Sequence, residues 1–383
     1  MKKYDVIVIG GGIIGGAITY QLSKYNLKIA VLEKNPILAG ETSAANSGVL
    51  HGGFDPEPHK IEARLNVEGV KIWKEQIFKH LIFNRAKLDT LVLAFNDEEL
   101  KELKKLYDRG LENNVPKEFM KIISMNEIIS REPHVNKEVK SGLVYNDSWA
   151  IDPIGATKAF FGVAKQNGVE IHKNSKVTKI KYENDLFSIQ INDKDFLQAK
   201  VVINAAGHYS DEIAKIAGYP DFKLTTRRGE YRILSNSELS KVNSILFMVP
   251  TIHGKGVVVA PMLDGRVMTG PSAEDGVEKN DTRLITREKF EFIERIGKKL
   301  IPSLDFERTE LTFSGSRAID IATNDFIINS AKENINFINA AGMQSPAIAA
   351  APAIALEIEK LVKKTKLKLE HKKDFNPNYE VIF

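Results

Sequence analysis

The chain opens on an apolar run of strand length, residues 4–9 (Tyr-Asp-Val-Ile-Val-Ile), closed by three glycines. Residues 17–24 read as helix, and a second apolar run at 27–32 ends on Glu33. A polar loop at 40–60 precedes a long helical stretch at 61–81. Residues 91–95 read as a strand, and Asn96-Asp97-Glu98-Glu99 as the capped start of a helix carrying Leu100, Leu103, Leu106 and Tyr107 on one face. Helix 154–166 and strands 169–172 and 177–182 follow. The run 199–204 meets Ala205-Ala206-Gly207 as a buried parallel strand meets a tight turn. Between 223 and 317 the alternation has strand period, at 230–234, 244–250, 256–261, 267–270 and 310–314, with one helix at 286–300. The end returns to strand (335–340), turn and helix (347–363).

This layout is interleaved. It predicts an α/β protein with a discontinuous Rossmann-like unit at 1–81, 147–222 and 318–370. Threaded through it is a second domain at 82–146 and 223–317, built on a mainly antiparallel sheet with helices, and residues 371–383 form a tail. At 383 residues two domains are expected.

Composition narrows the classes. With 43% hydrophobic and 27% charged residues the chain is ordinary for a globular protein. The absence of cysteine excludes disulfides, thiolate metal sites, a cysteine nucleophile and a thiol-linked flavin, and is compatible with the cytoplasm. The first residues feed straight into a strand, leaving no room for a signal peptide, and no apolar run reaches membrane-spanning length. A net charge of +4 without a basic stripe interleaved with aromatics gives no nucleic-acid surface. The basic tail, Lys363, Lys364, Lys366, Lys368, Lys372 and Lys373, reads as a solvated helix end, with contact to an anionic surface as the alternative. His51, His59 and His208 form no ligand spacing with nearby carboxylates, so no metal is expected.

The glycines carry the first chemistry. Gly10, Gly12 and Gly15 form G-x-G-x-x-G between a strand and a helix, and Glu33 stands where a dinucleotide-binding βαβ unit places its ribose-binding acid. The start of that helix offers amides and a positive dipole end to a diphosphate. Glu33 suits NAD and FAD alike. Interleaving favours FAD, because a nicotinamide dehydrogenase more naturally keeps its nucleotide domain in one piece.

The fingerprint, the loop Thr42-Ser43-Ala44-Ala45-Asn46-Ser47-Gly48-Val49-Leu50-His51-Gly52-Gly53, the strand end Asn204-Ala205-Ala206-Gly207 and the turn Gly342-Met343-Gln344-Ser345-Pro346 resemble the FAD-dependent D-amino-acid-oxidase-like superfamily along nearly the whole chain. Within it, Thr226-Arg227-Arg228-Gly229-Glu230-Tyr231, residues 249–256 and Gly315-Ser316-Arg317 look most like the short glycerol-3-phosphate oxidases. L-2-hydroxyglutarate dehydrogenases share a similar Asn-Ser-Gly-x-x-His loop. The resemblance implies FAD, a small phosphorylated polyol as substrate and molecular oxygen as acceptor. The alternatives are a 2-hydroxy-acid dehydrogenase, an amine oxidase and a flavin-containing binding protein.

Oxidising a secondary alcohol needs a hydride acceptor, a base and a grip on the substrate's charged end, and flavin supplies the first. His51, flanked by Gly48, Gly52 and Gly53, is the candidate base; a backbone-bonding loop histidine or a covalent flavin carrier is the alternative. Arg317, after Ser314-Gly315-Ser316, and Lys255, between Gly254 and Gly256, are the candidate phosphate-binding cations, against surface pairing with carboxylates. His253 and Arg228 are further candidates. Ser345 and Pro346 read as cap and first residue of a helix aimed at a ligand, with Pro352 bending that helix or ending its first segment. By resemblance that turn lies against the flavin pyrimidine, and Ser345 also touches substrate. The remaining cofactor candidates are Ile14, Thr42, Ser43, Ser47, Gly48, Val177 through its backbone, Ala206, Gly207, Gly342, Met343 and Gln344.

Overall fold

The computed structural model describes residues 1–250 and 256–380. β1 (Lys2–Ile9) passes through the glycine turn into α1 (Ile13–Leu22) and on to β2 (Ile29–Leu32). β1 and β2 are parallel, Val6 opposite Ile29 through Ile9 opposite Leu32. The strand Asp195–Asn204 lies parallel on the other side of β1, and Asn334–Ala341 lies parallel beyond it. Three stretches distant in sequence thus meet in one eight-stranded sheet, completed by Ile327–Ala331, Glu170–His172 and the hairpin Val177–Glu183/Leu186–Ile191. Val6 to Ile9 are buried, as a strand covered on both faces must be.

Two glycines set how tightly this unit closes. Gly10 has φ +122°, and a Cβ there would lie 2.2 Å from the Ala205 carbonyl oxygen; a Cβ on Gly15 would lie 2.1 Å from the Gly10 oxygen. Turn, neighbouring strand and helix therefore touch through bare backbone.

The second sheet has ten strands. Its main path runs Glu274–Asp275, Leu224–Leu234, Val267–Gly270, Val258–Pro261, Ile245–Met248, Arg85–Ala94, Ser141–Ile151 and β3 (Val49–Leu50). Thr309–Asp320 pairs along Leu224–Leu234, and Met120–Ser124 along Ser141–Ile151. Its pairings are antiparallel apart from Ile245–Met248 with Arg85–Ala94. The α/β architecture expected from the sequence is the one observed. β3 precedes His51 directly and pairs Val49 with Ala150 and Leu50 with Trp149, which ties the first loop to the second sheet.

Two helices differ from expectation. The stretch 61–81 is α2 (Ile61–Ile72), then a wide π turn (Trp73–Ile77) and a last α turn (Phe78–His80), with residues 81–82 already strand. The C-terminal helix Ala347–Lys363 runs unbroken through Pro352. Proline removes the amide that would bond the carbonyl four residues earlier, and that carbonyl, of Ile348, instead accepts the indole N–H of fully buried Trp73 at 3.0 Å. The tail folds back on the first unit: the Lys372 amide donates to the Lys24 carbonyl, and Gln166 donates to the carbonyls of Asn376 and Asn378.

Candidate active site

A cleft of about 1190 Å³ opens between the two sheets. From the first unit it is lined by Gly12, Ile13 and Ile14 at the start of α1, by Thr42, Ser43 and Ala45 to Ser47 of the following loop, by Ala205, Gly207 and His208, and by Met343 to Ile348. The second sheet contributes Gly229, Tyr231, Phe247, Val258, Pro271 and Gly315 to Ala318. Two helices begin at this cleft and both point their positive dipole ends into it.

The loop after β2 is built by Asn46. Its side-chain amide donates to the carbonyls of Thr42 and Ser43, and its oxygen accepts the Gly48 amide. Ser43 Oγ accepts the Ile13 amide at 2.9 Å, and Thr42 Oγ donates to the Ser316 carbonyl at 2.7 Å. Glu33, 8% exposed, accepts from the amides of Gly11 and Asn35, both at 2.7 Å, so its carboxylate is fixed beside the glycine turn.

His51 is half-buried, with its ring 5.8 Å from that of Phe247, and Asn66 donates to its carbonyl. Arg317 faces the same cleft from Thr309–Asp320, opposite Arg227 in the strand register. Its guanidinium makes no hydrogen bond or ion pair among the described residues. Burial lowers its pKa, an effect partly offset by Tyr231 and Asp55, and it remains a cation at physiological pH. Tyr231 lines the cleft and stacks on Phe313 at 4.6 Å. Burial pushes its pKa up to about 12 against the pull of Arg317, so its hydroxyl is a permanent donor. His208, 3% exposed, also lines the cleft; burial pushes its pKa down to about 4, and the ring is neutral at pH 7.

Of the residues expected from sequence, the cleft brings together Gly12, Ile14, Thr42, Ser43, Ser47, His51, Gly207, Arg317, Met343, Gln344 and Ser345. Gly10, Gly15, Glu33, Gly48, Val177, Ala206 and Gly342 do not line it. Gly10 and Gly15 shape the turn, and Val177 is buried at the start of its strand. Lys255 and His253 lie outside the described residues. Arg228 does not line the cleft: it is buried and paired with Glu274, Glu230 and the Asp281 carbonyl. Pro346, not Ser345, occupies the cap of the last helix, and no side chain caps it. The reason is local, because the Ala347 amide closes a four-residue turn onto the Gln344 carbonyl at 2.7 Å and leaves Ser345 one residue early. Gln344 is anchored through its amide to Glu62 and Asn324.

Tyr231, Phe247 and His208 are cleft residues that the sequence reading did not single out. Period-two alternation from Gly229 puts Tyr231 on the cleft face, and His208 simply follows Gly207.

The walls fit a flavin dinucleotide. The starts of α1 and of the helix Ala347–Lys363 both line it, so amides and two positive dipole ends are available to a diphosphate and to a ring that gains negative charge.

Comparison with known proteins agrees with this geometry. Residues 5–361 match the family described as FAD dependent oxidoreductase (DAO). The chain is 48% identical over 384 residues to glycerol 3-phosphate oxidase of Mycoplasma genitalium, covering 100% of this chain and 99% of that protein. It superposes with a TM-score of 0.97 and 44% identity on dithionite-reduced L-alpha-glycerophosphate oxidase of Mycoplasma pneumoniae, a structure with FAD bound, over the full length of both chains. It is 29% identical to human mitochondrial L-2-hydroxyglutarate dehydrogenase over 286 residues, covering 71% of this chain and 61% of that protein.

Proposed function

The chain belongs to the FAD dependent oxidoreductase (DAO) family, and on that premise we propose that it oxidises sn-glycerol 3-phosphate to dihydroxyacetone phosphate and reduces dioxygen to hydrogen peroxide. FAD is its cofactor. When bound, FAD takes the two electrons of the alcohol as hydride and passes them to dioxygen.

The observation that carries this reading is the guanidinium of Arg317, without a partner among the described residues, in the same cleft as the His51 imidazole. A planar fork suits two phosphate oxygens, and Tyr231 adds a hydroxyl donor beside it. We assign the phosphate to Arg317 and to Lys255, which lies outside the described residues. His51 takes the proton of the C2 hydroxyl as the C2 hydrogen leaves with its electron pair, so the carbon–oxygen double bond forms with charge balanced. Ser345, one residue before the cap of the last helix, lines the cleft, and we assign to it the substrate's remaining hydroxyl.

The glycine turn and Ser43 would hold the diphosphate, and Glu33 the adenosine ribose, whereas the Thr42 hydroxyl has given its one hydrogen to the Ser316 carbonyl. The positive end of the helix Ala347–Lys363 stabilises negative charge on the reduced ring. We assign residues 1–81, 147–222 and 318–370 to the cofactor-binding unit and 82–146 and 223–317 to the substrate-binding unit, with β3 linking them. Among the described residues no helix is long and apolar enough to cross a membrane. We place the enzyme in the cytoplasm, on the same side of the bilayer as a substrate whose charge keeps it from crossing.

Anaerobic mixing with glycerol 3-phosphate tests the reading. The flavin absorbance bleaches within the turnover time and returns on adding oxygen, with hydrogen peroxide released. Bleaching by L-2-hydroxyglutarate and not by glycerol 3-phosphate would replace the substrate.

A further inference from the structure

Arg317 has a second arginine directly opposite it. In the register of Leu224–Leu234 with Thr309–Asp320, Arg227 faces Arg317, Gly229 faces Gly315 and Tyr231 faces Phe313. Directly opposite residues of an antiparallel pair share one face of the sheet, with Cβ atoms about 4.5–5.5 Å apart. The stacked rings of Tyr231 and Phe313, with centroids 4.6 Å apart, follow that rule. Gly229, Tyr231, Gly315 and Arg317 line the cleft, so Arg227 stands on the cleft face as well, beside Arg317. Two like charges so placed repel each other.

The short strand Glu274–Asp275 brings compensating charge to both faces of Leu224–Leu234, with Glu274 opposite Arg228 and Asp275 opposite Arg227. Glu274 goes to buried Arg228 on the far face, while Asp275 accepts from Nε and Nη2 of Arg227 at 2.5 and 2.9 Å. That pairing raises the Arg227 pKa, so its charge is permanent. The Asp275 side chain is 63% exposed against 27% for Arg227. A carboxylate standing in water cancels only part of a half-buried guanidinium's field. The remainder reaches Arg317. Burial is the largest influence on the Arg317 pKa and lowers it; Tyr231 opposes that, Arg227 lowers it further, and Asp55 and Asp275 pull it back.

We propose that Arg227 is a specificity-determining residue acting through its charge. It adds positive charge beyond the groups that touch phosphate, so the cleft favours a doubly charged phosphate ester over singly charged and neutral alcohols, and Asp275 sets the strength of that field. This deepens the glycerol-phosphate reading and rests on it. Arg227 stays on Asp275 and needs no contact with substrate. A cleft whose wall carries one sign of charge concentrates the opposite sign and speeds its capture, and salt screens the effect.

The test sets against each other two variants that break the same ion pair in the holoenzyme. At low salt, and at a pH above the second phosphate pKa of about 6, Arg227→Gln lowers kcat/KM for glycerol 3-phosphate by roughly 10-fold, and Asp275→Asn raises it by roughly 2- to 5-fold. Oxidation of unphosphorylated glycerol scarcely moves in either. The fall of kcat/KM with added salt becomes shallower in the first variant and steeper in the second. A loss of kcat/KM in both variants marks a merely structural ion pair and overturns the proposal, as does a wild-type value in Arg227→Gln or an equal loss on glycerol. Should Arg227→Gln fail to fold, Asp275→Asn decides alone, and an unchanged or lower kcat/KM overturns the proposal. Wild-type enzyme whose flavin is not bleached by glycerol 3-phosphate overturns the substrate reading instead.

Discussion

Trp73 donates its indole N–H to the Ile348 carbonyl, the acceptor that Pro352 leaves without an amide one turn further along the last helix. Proline inside that helix is therefore compensated by a residue of the π turn, 275 positions before the carbonyl it satisfies. Trp73→Phe keeps most of the ring and orphans the carbonyl, at a cost of about 1–3 kcal/mol. Pro352→Ala supplies the missing amide, so it stabilises the Trp73→Phe background more than the wild type. Urea unfolding of the four proteins of this cycle measures the coupling.

His51→Asn slows flavin reduction by glycerol 3-phosphate by about 10²-fold or more, because the hydroxyl proton then has no base. FAD content is unchanged. Anaerobic stopped-flow traces at saturating substrate check it, and wild-type reduction rates would remove His51 from the mechanism.

Arg317→Ala removes a charge-assisted grip of roughly 1.5–3 kcal/mol, raising KM for glycerol 3-phosphate by about 10- to 100-fold. Slow oxidation of unphosphorylated glycerol responds far less. Steady-state peroxide assays on both substrates separate loss of the phosphate contact from general damage.

His208 gives a pH signature to the flavin-stripped protein. Burial holds its folded pKa near 4, below the ordinary value of 6.5. Between those values the unfolded chain binds more protons, so stability rises with pH across the window and falls as pH drops from 6.5 towards 4. The full contribution is up to roughly 3 kcal/mol. Thermal melts at pH 7 and 4.5 show a smaller difference in His208→Gln than in wild type.

Much of the fold was legible because its signals are local. The glycine turn, the Asn96 cap and the alternation from 223 to 317 each report a nearby backbone requirement, and each appears in the structure. Pro352 does not end the last helix, because its compensation comes from Trp73, which local rules cannot see. Ser345 looked like a cap, and the Gln344–Ala347 turn moved the cap by one residue. Arg228 and Arg317 are both arginines inside long strands that pair with each other. Only tertiary pairing shows that one is spent on Glu274 and Glu230 while the other faces the cleft with no partner among the described residues. Tyr231 was hidden by its ordinary look as a strand aromatic.

The hydroxyl of Thr42 bonded to the Ser316 carbonyl joins the loop after β2 to the residue before Arg317. One contact thus spans the two walls of the cleft, so a substitution at Thr42 is felt on the strand that carries Arg317 as well as in its own loop.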